Sequence, residues 1–341
     1  ASHSGIRAEP RPPWQPSERQ PPAIRLAVAS LVAAALGLFV AVTLVAPVAG
    51  RLSTPRGWAV VACDVGQGDA VLLRDPLVPG ETMLVDTGDD PELLLACLDR
   101  FGVGRISLLV LSHDDRDHVG ALEAVIDRVD AALIAPDAGE QVGAERDVVR
   151  QLEAARVPYR VGAAGDARAS AAGLAWRVLA PAAGARPVDT NAASLVMVVQ
   201  AGSDRVLLLG DTGLDEQQRL ISQYAEGGAS ATGALGARVI KAAHHGSGDQ
   251  DHRLPALVGA EWALVSVGTG NNYGHPAADT LAALSRAGTR ALRTDLHGSI
   301  ALVPSAGGTL EPWVERPADG RPAVERPVSS APSVLPVGGR R

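Results

Sequence analysis

Aromatic residues are scarce in this chain of 341 residues, at 3%, and cysteine occurs only twice. Packing must therefore rely on Ala, Val and Leu rather than on large rings, and a disulfide-dense scaffold is excluded. Cys63 and Cys97 have no CxxC spacing, which excludes a zinc knuckle and reads as a pair of buried thiols. Excess positive charge is missing too. The formal net charge is −7, so the chain does not blanket nucleic-acid phosphates with Lys and Arg, and any such substrate must be held locally. Nor is there the lysine of a P-loop in the glycine-rich stretch DVGQGD, which reads as a tight turn supporting a cleft. The 46% hydrophobic content is too high for a disordered chain and suits one sizeable domain with appendages.

Those appendages lie at the two ends. The chain opens on Ala1 rather than Met, as expected of an excerpt or a processed product, and residues 1–23 form a Pro- and Arg-containing flexible lead. Residues 26–50 carry no charge, a run of the length that crosses a bilayer as a helix, so 24–50 is expected to be a transmembrane helix rather than a signal-peptide core or a buried helix. Arg7, Arg11, Arg19 and Arg25 precede this run and only Arg51 and Arg56 follow closely, which puts the following domain outside the cytoplasm at the cell membrane. Residues 312–341, rich in Pro, Gly and Ser, read as a disordered tail.

Between them, over 57–305, short β-branched runs alternate with helical spacing. Strands are expected at 58–63, 70–74, 82–86, 107–112, 194–199, 205–210, 237–243 and 262–267, and helices at 91–101, 143–156, 214–225 and 277–287. The class is α/β. The chemistry clusters where strands end. HDDRDH places His113, Asp115, Asp117 and His118 within six residues of a buried run, and imidazole with carboxylate is the donor set of hydrolytic metals. RVLLLGD ends on Asp211, VIKAAHHGS delivers His244 and His245, and MLVDTG ends on Asp86. Each alone is a common turn; together they point to one pocket.

In that order LVDTG, SHDDRDH, LLLGD and HHGS resemble the successive metal-site motifs of the metallo-β-lactamase superfamily. DVGQGDA and YGHP narrow the resemblance to the C-terminal hydrolase domain of the ComEC-type competence proteins, membrane channels for imported DNA. The resemblance implies an αββα sandwich with a metal cleft along one edge of two sheets. It also implies His113, Asp115, Asp117, His118, Asp211, His244 and His245 as metal ligands, with Asp211 bridging and only one of the paired histidines needed. Asp86 would order the ligand loop through hydrogen bonds. No histidine lies between His118 and Asp211, where many relatives place a ligand, and TNAASLVMVV offers Asn191 and Ser194 instead, in supporting roles or, for Asn191, at the first site. Such an oxygen-rich site suits manganese or magnesium and leaves zinc open, as one or two divalent ions.

A divalent ion lowers the pKa of its water from about 15.7 toward roughly 7, which suits attack on phosphorus with Asp117 at the reacting centre. Lys241 is either a local cation for the phosphate or a strand-ending lysine in solvent. His275 either protonates the leaving oxygen or orders a turn. Ser247 and Tyr273 are further candidates for touching substrate. The resemblance implies a nuclease acting on single- or double-stranded DNA beside a channel domain of the same parent chain and other competence proteins. A hydrolase of phosphocholine or teichoic-acid phosphodiesters and a non-catalytic DNA guide remain as alternatives.

Overall fold

The computed structural model describes residues 22–40, 43, 54–138, 144–170, 173–224 and 233–317. Two units are compact in themselves, Ala1–Ser53 and Thr54–Arg341. In the first, helix α1 spans Pro22–Val40. Among the described residues no helix is long and apolar enough to cross a membrane. The span expected over 24–50 is thus represented only by α1, and its later part, 44–50, lies outside the described residues.

The second unit is an αββα sandwich, built from two sheets. The first sheet contains β1 (Val60–Ala62), β2 (Val71–Leu73), β3 (Met83–Val85), β4 (Leu108–Leu111), β5 (Ala132–Ile134) and β6 (Tyr159–Val161). The second contains β7 (Ala167–Ala169), β8 (Leu174–Ala180), β9 (Val196–Ala201), β10 (Asp204–Leu208), β11 (Val239–Lys241), β12 (Trp262–Val265) and β13 (Arg290–Arg293). The chain then returns to the first sheet with β14 (Ile300–Pro304) and β15 (Leu310–Val314), giving the orders β15-β14-β1-β2-β3-β4-β5-β6 and β13-β12-β11-β10-β9-β8-β7. Strands β3 to β6 and β10 to β13 run parallel within their groups.

Alternation along the strands makes three apolar layers. In β3, Met83 and Val85 face the layer between the sheets while Leu84 faces the outer layer; in β10, Val206 and Leu208 point between the sheets and Leu207 outward. Helices α2 (Pro91–Arg100) and α3 (Ala144–Ala154) flank the outer face of the first sheet through Leu94, Leu98, Val148 and Leu152, and α4 (Leu214–Tyr224) and α5 (Ala278–Arg286) cover the second through Leu220, Ile221 and Leu284. Local signals set these helices. Asp90 caps α2 by accepting the Glu92 and Leu93 N–H groups, and Pro91 occupies its first turn.

Two expectations are corrected here. Residues 312–314, assigned to the tail, belong to β15, which pairs with β14 through Leu302 and Pro312. The strand tolerates Pro312 because it lies at the sheet edge, and Trp313 packs edge-on against Phe101, itself edge-on to Trp58. Residues beyond 317 lie outside the described ones. The second correction concerns the cysteines, which are a disulfide rather than free thiols: Cys63, after β1, bonds Cys97 on α2, with Cα atoms 5.8 Å apart.

Candidate metal centre

Parallel strands that end side by side deliver their following loops to one edge of a sandwich. Asp86 follows β3, His113 to His118 follow β4, Asp211 follows β10, and His244 and His245 follow β11. Asp211, 3% exposed, is the hub. Its Oδ1 lies 3.4 Å from His118 Nε2, and its Oδ2 lies 3.4 Å from His245 Nε2, 3.8 Å from His244 Nε2 and 4.0 Å from His113 Nε2. His113 Nε2 is also 3.6 Å from Asp115 Oδ2, and Asp117 Oδ2 is 3.1 Å from His245 Nε2. The other six candidate ligands from the sequence therefore gather near Asp211, the four histidines directly and Asp115 and Asp117 beside His113 and His245.

Asp69, absent from the sequence-derived set, joins them. One ligand atom each from Asp69, His118, Asp211 and His245 lies within 4.8 Å of the others, and all four residues are buried. Asp69 Oδ1 is 3.3 Å from His245 Nδ1. Backbone contacts place it there: the Asp69 N–H donates to Asp117 O at 3.2 Å, and the neighbouring Gly68 has φ of +115° with no room for a side chain, since a Cβ would stand 2.0 Å from Asp117 O. The sequence signal was the acid after the second glycine of GQGD. It precedes an antiparallel strand instead of ending a parallel one, so the strand-end pattern does not find it.

The supporting contacts match a metal site's outer layer. Asp86 Oδ2 lies 2.9 Å from His118 Nδ1 and accepts the Ser112 hydroxyl at 2.7 Å, while Oδ1 accepts the Ser112 N–H at 2.7 Å. Ser112 Oγ in turn lies 3.0 Å from His113 Nδ1, and Ser266 O lies 3.0 Å from His245 Nδ1. Each of these three rings is thus oriented through Nδ1 with Nε2 turned to the centre. Ser194 Oγ accepts the Asp211 N–H at 3.0 Å, and Asn191 opens the short turn next to Thr190, which hydrogen-bonds Asp115. The backbone is held in costly conformations here: Asp86, His244 and His245 all have positive φ, at 61°, 45° and 54°.

The donor set fits a divalent cation. Asp69 Oδ1, His113 Nε2, His118 Nε2 and Asp211 Oδ1 are buried and have no hydrogen-bond partner of proper geometry. Protein interiors rarely leave such atoms unmet, and three of these residues, Asp69, His118 and Asp211, present ligand atoms within 4.8 Å of one another and of one from His245, as a cation site requires. Without one, the cluster shares protons. Burial alone would raise Asp211, but the charges of His118 and His245 hold it well below the usual carboxylate range. Burial would likewise depress His118, yet Asp211 and Asp86 keep it well above the usual imidazole range, and Asp211 and Asp69 do the same for His245 against its own burial.

The four remaining candidates for chemistry lie around this cluster in different settings. Lys241 is neither a phosphate-binding cation nor a solvated strand end: it is 2% exposed, its Nζ lies 2.7 Å from Asp69 Oδ2, and it donates to Ala242 O at 2.8 Å. His275 sits at the rim, its ring centroid 5.2 Å from that of His244, but burial and the charges of His244 and His245 push its pKa below the usual 6.5. A neutral ring at pH 7 accepts a proton more readily than it supplies one. Ser247 is engaged in the turn, its hydroxyl accepting the Asp249 N–H at 3.2 Å. Tyr273 is 71% exposed and stacks over His275 with centroids 5.9 Å apart.

Comparison with known proteins agrees with this geometry. The ComE operon protein 3 of Bacillus subtilis (strain 168) is 27% identical over 257 residues, 70% of this chain and 32% of that protein. The competence protein ComA of Neisseria gonorrhoeae is 28% identical over 254 residues, 73% of this chain and 33% of that protein. The chain thus spans about one third of the length of the curated relatives it matches. These relatives uphold the resemblance to the ComEC-type competence proteins. Among solved structures, CmlA, a diiron β-hydroxylase from Streptomyces venezuelae, overlaps 73% of this chain and 55% of its own with a TM-score of 0.47 and 16% identity, a likeness too distant to add to the assignment. The family model described as the metallo-beta-lactamase superfamily matches residues 63–247, and with that match, over more than half of its length, the chain belongs to this superfamily.

Proposed function

We propose that this domain is a divalent-metal-dependent phosphodiesterase that cuts DNA during uptake, as part of a membrane competence protein. The observation that carries the reading is Asp211, one buried carboxylate within 4.0 Å of imidazole nitrogens from His113, His118, His244 and His245. His118, Asp211 and His245, with Asp69, would hold one ion, bordered by Asp117 at 3.1 Å from His245 Nε2; His113, with Asp115 beside it, would complete a second position at Asp211. A bound divalent ion supplies Lewis acidity and an activated water at neutral pH. Manganese or magnesium suits the carboxylate-rich set, with zinc also compatible.

The protein's own groups do the rest. Asp86 and the Ser266 carbonyl lock the His118 and His245 rings, so the centre needs little reorganisation. Asp117, with its carboxyl held below the usual range despite burial by the hydrogen bond from His245, is ionised and can orient a water. His275, neutral at the rim, accepts a proton there. The metal and local cations, rather than the acidic surface, would capture the phosphate. The reading places the domain outside the cytoplasm: the charge-free run 26–50, the arginine bias before it and the Cys63–Cys97 disulfide, a bond that persists in oxidising compartments, all support this. The competence relatives support DNA, a channel domain and other uptake proteins as partners.

With added manganese, the domain is expected to nick or digest plasmid DNA, and Asp117→Ala to abolish the activity while circular dichroism stays unchanged. Equal rates for variant and parent would end the proposal. Release of choline or teichoic-acid fragments without DNA cleavage would favour the other hydrolase.

A further inference from the structure

Next to the cluster, the segment 180–194 and α4 enclose a cavity of about 330 Å3, within the size range of small-ligand sites. Ser194 and Thr212 line it, and both adjoin Asp211, Ser194 through the hydrogen bond to the Asp211 N–H and Thr212 as the next residue. Ser194 and Thr212 therefore belong both to the cavity lining and to the surroundings of Asp211. Two cations stand in its lining. Arg219 is held by Glu216 one turn earlier on α4, whereas Arg186 makes no ion pair among the described residues. Two guanidinium groups against one carboxylate leave the lining with one net positive charge, although the chain as a whole carries −7.

The remaining surface is apolar in an unusual place. Val188 is 86% exposed and lies in the same lining as Pro181 and Pro187, so a large hydrophobic side chain stands uncovered beside unspent positive charge. A planar base covers such an apolar face without needing a particular sequence, and guanidinium groups match phosphate oxygens bidentately. Water does neither.

We infer that this cavity is a nucleotide subsite: it seats one nucleoside of the strand being cut against Val188 and the two prolines, with the neighbouring phosphate on Arg186 and Arg219. The inference rests on the phosphodiesterase reading for its purpose, but the binding it describes is measurable without turnover. It also explains how an acidic protein holds an anionic polymer locally, through a pocket rather than a basic surface.

The test uses Arg186→Glu and Val188→Asp, both exposed positions where the fold has little to lose. Binding of thymidine 3′,5′-bisphosphate in the presence of manganese is measured by titration calorimetry, and turnover is compared on DNA and on bis(p-nitrophenyl) phosphate, a diester without nucleosides. Each variant is expected to weaken the bisphosphate about tenfold or more, the scale of one lost charged hydrogen bond. The fall in kcat/KM on DNA should exceed that on the nucleoside-free diester by at least tenfold. Failure of the parent to bind the bisphosphate, unchanged affinity in both variants, or equal losses on the two diesters overturns the subsite. If neither diester is cut yet the affinity falls as expected, the subsite stands and the catalytic reading fails. Cleavage with unaltered nucleotide affinity removes the subsite and leaves the catalytic reading standing.

Discussion

Reduction of the Cys63–Cys97 bond should cost the domain a measurable share of its stability. The two residues are 34 apart in sequence. On the chain-entropy account, closing a loop of that size removes about 12.6 cal/mol/K from the unfolded ensemble, about 3.8 kcal/mol at 25 °C. Both partners are buried, so the reduced thiols still fit the apolar layer under α2 and the loss falls mainly on the unfolded side. Urea denaturation followed by circular dichroism, with and without dithiothreitol, gives the comparison. With a slope of about 3 kcal/mol/M, the midpoint should drop by about 1.3 M. The Cys63 N–H donates to Ala70 O at 2.9 Å, so the turn carrying Asp69 is anchored at one end by this bond, and metal affinity should fall alongside stability. Identical midpoints, or two titratable thiols in the unreduced denatured protein, would refute the reasoning.

Other perturbations probe the centre itself. His118 and His245, raised above the usual 6.5, contribute stability to the metal-free protein that is complete below 6.5 and is lost as pH rises through their elevated values. Asp211, depressed below 3.8, contributes above that value and loses it as pH falls through its lowered one. With chelator present, the unfolding temperature should therefore fall on alkalinisation, while manganese affinity rises across the same interval because those two rings must shed protons to bind; parallel trends would contradict the assignment. Lys241→Met removes the cation paired to Asp69 Oδ2 and leaves that buried carboxylate only His245 as a close partner, at a cost of about 3 kcal/mol, and adding Asp69→Asn should recover much of it in chemical denaturation. Gly68→Ala forces a Cβ against Asp117 O and should cost about 3 kcal/mol; unaltered urea stability would mean that the GQGD turn does not pack as described. Asp86→Asn should lower manganese affinity about 10- to 100-fold by freeing the His118 ring, and no change in titration would remove its orienting role.

Much of this architecture is legible in the sequence because buried parallel strands announce themselves. RVLLLG and WALVSV are continuous apolar runs that coincide with β10 and β12, and the acids and imidazoles at such ends converge once neighbouring strands run the same way. The helices expected at 91–101, 143–156, 214–225 and 277–287 coincide with α2 to α5 within two residues at each end. Short or edge strands stay hidden. β6 and β7 are three residues each and largely exposed, and β15 carries Glu311 and Pro312, so no alternation marks them. Long-range pairing is equally invisible: nothing local tells Cys63 that Cys97 folds onto it, or tells Lys241 that Asp69 waits in the neighbouring sheet. Lysine is so seldom buried that only its partner's position reveals why this one is.

That partner changes what kind of ion the centre is prepared to receive. The Lys241 side chain is buried with its Nζ 2.7 Å from Asp69 Oδ2, an ion pair that offsets the charge of Asp69 before any metal arrives. An incoming dication therefore meets Asp211 and Asp117 as its main anionic hosts, with Asp69 offering a lone pair more than a charge. Fewer uncompensated carboxylates then face an approaching phosphate than the residue count alone would give.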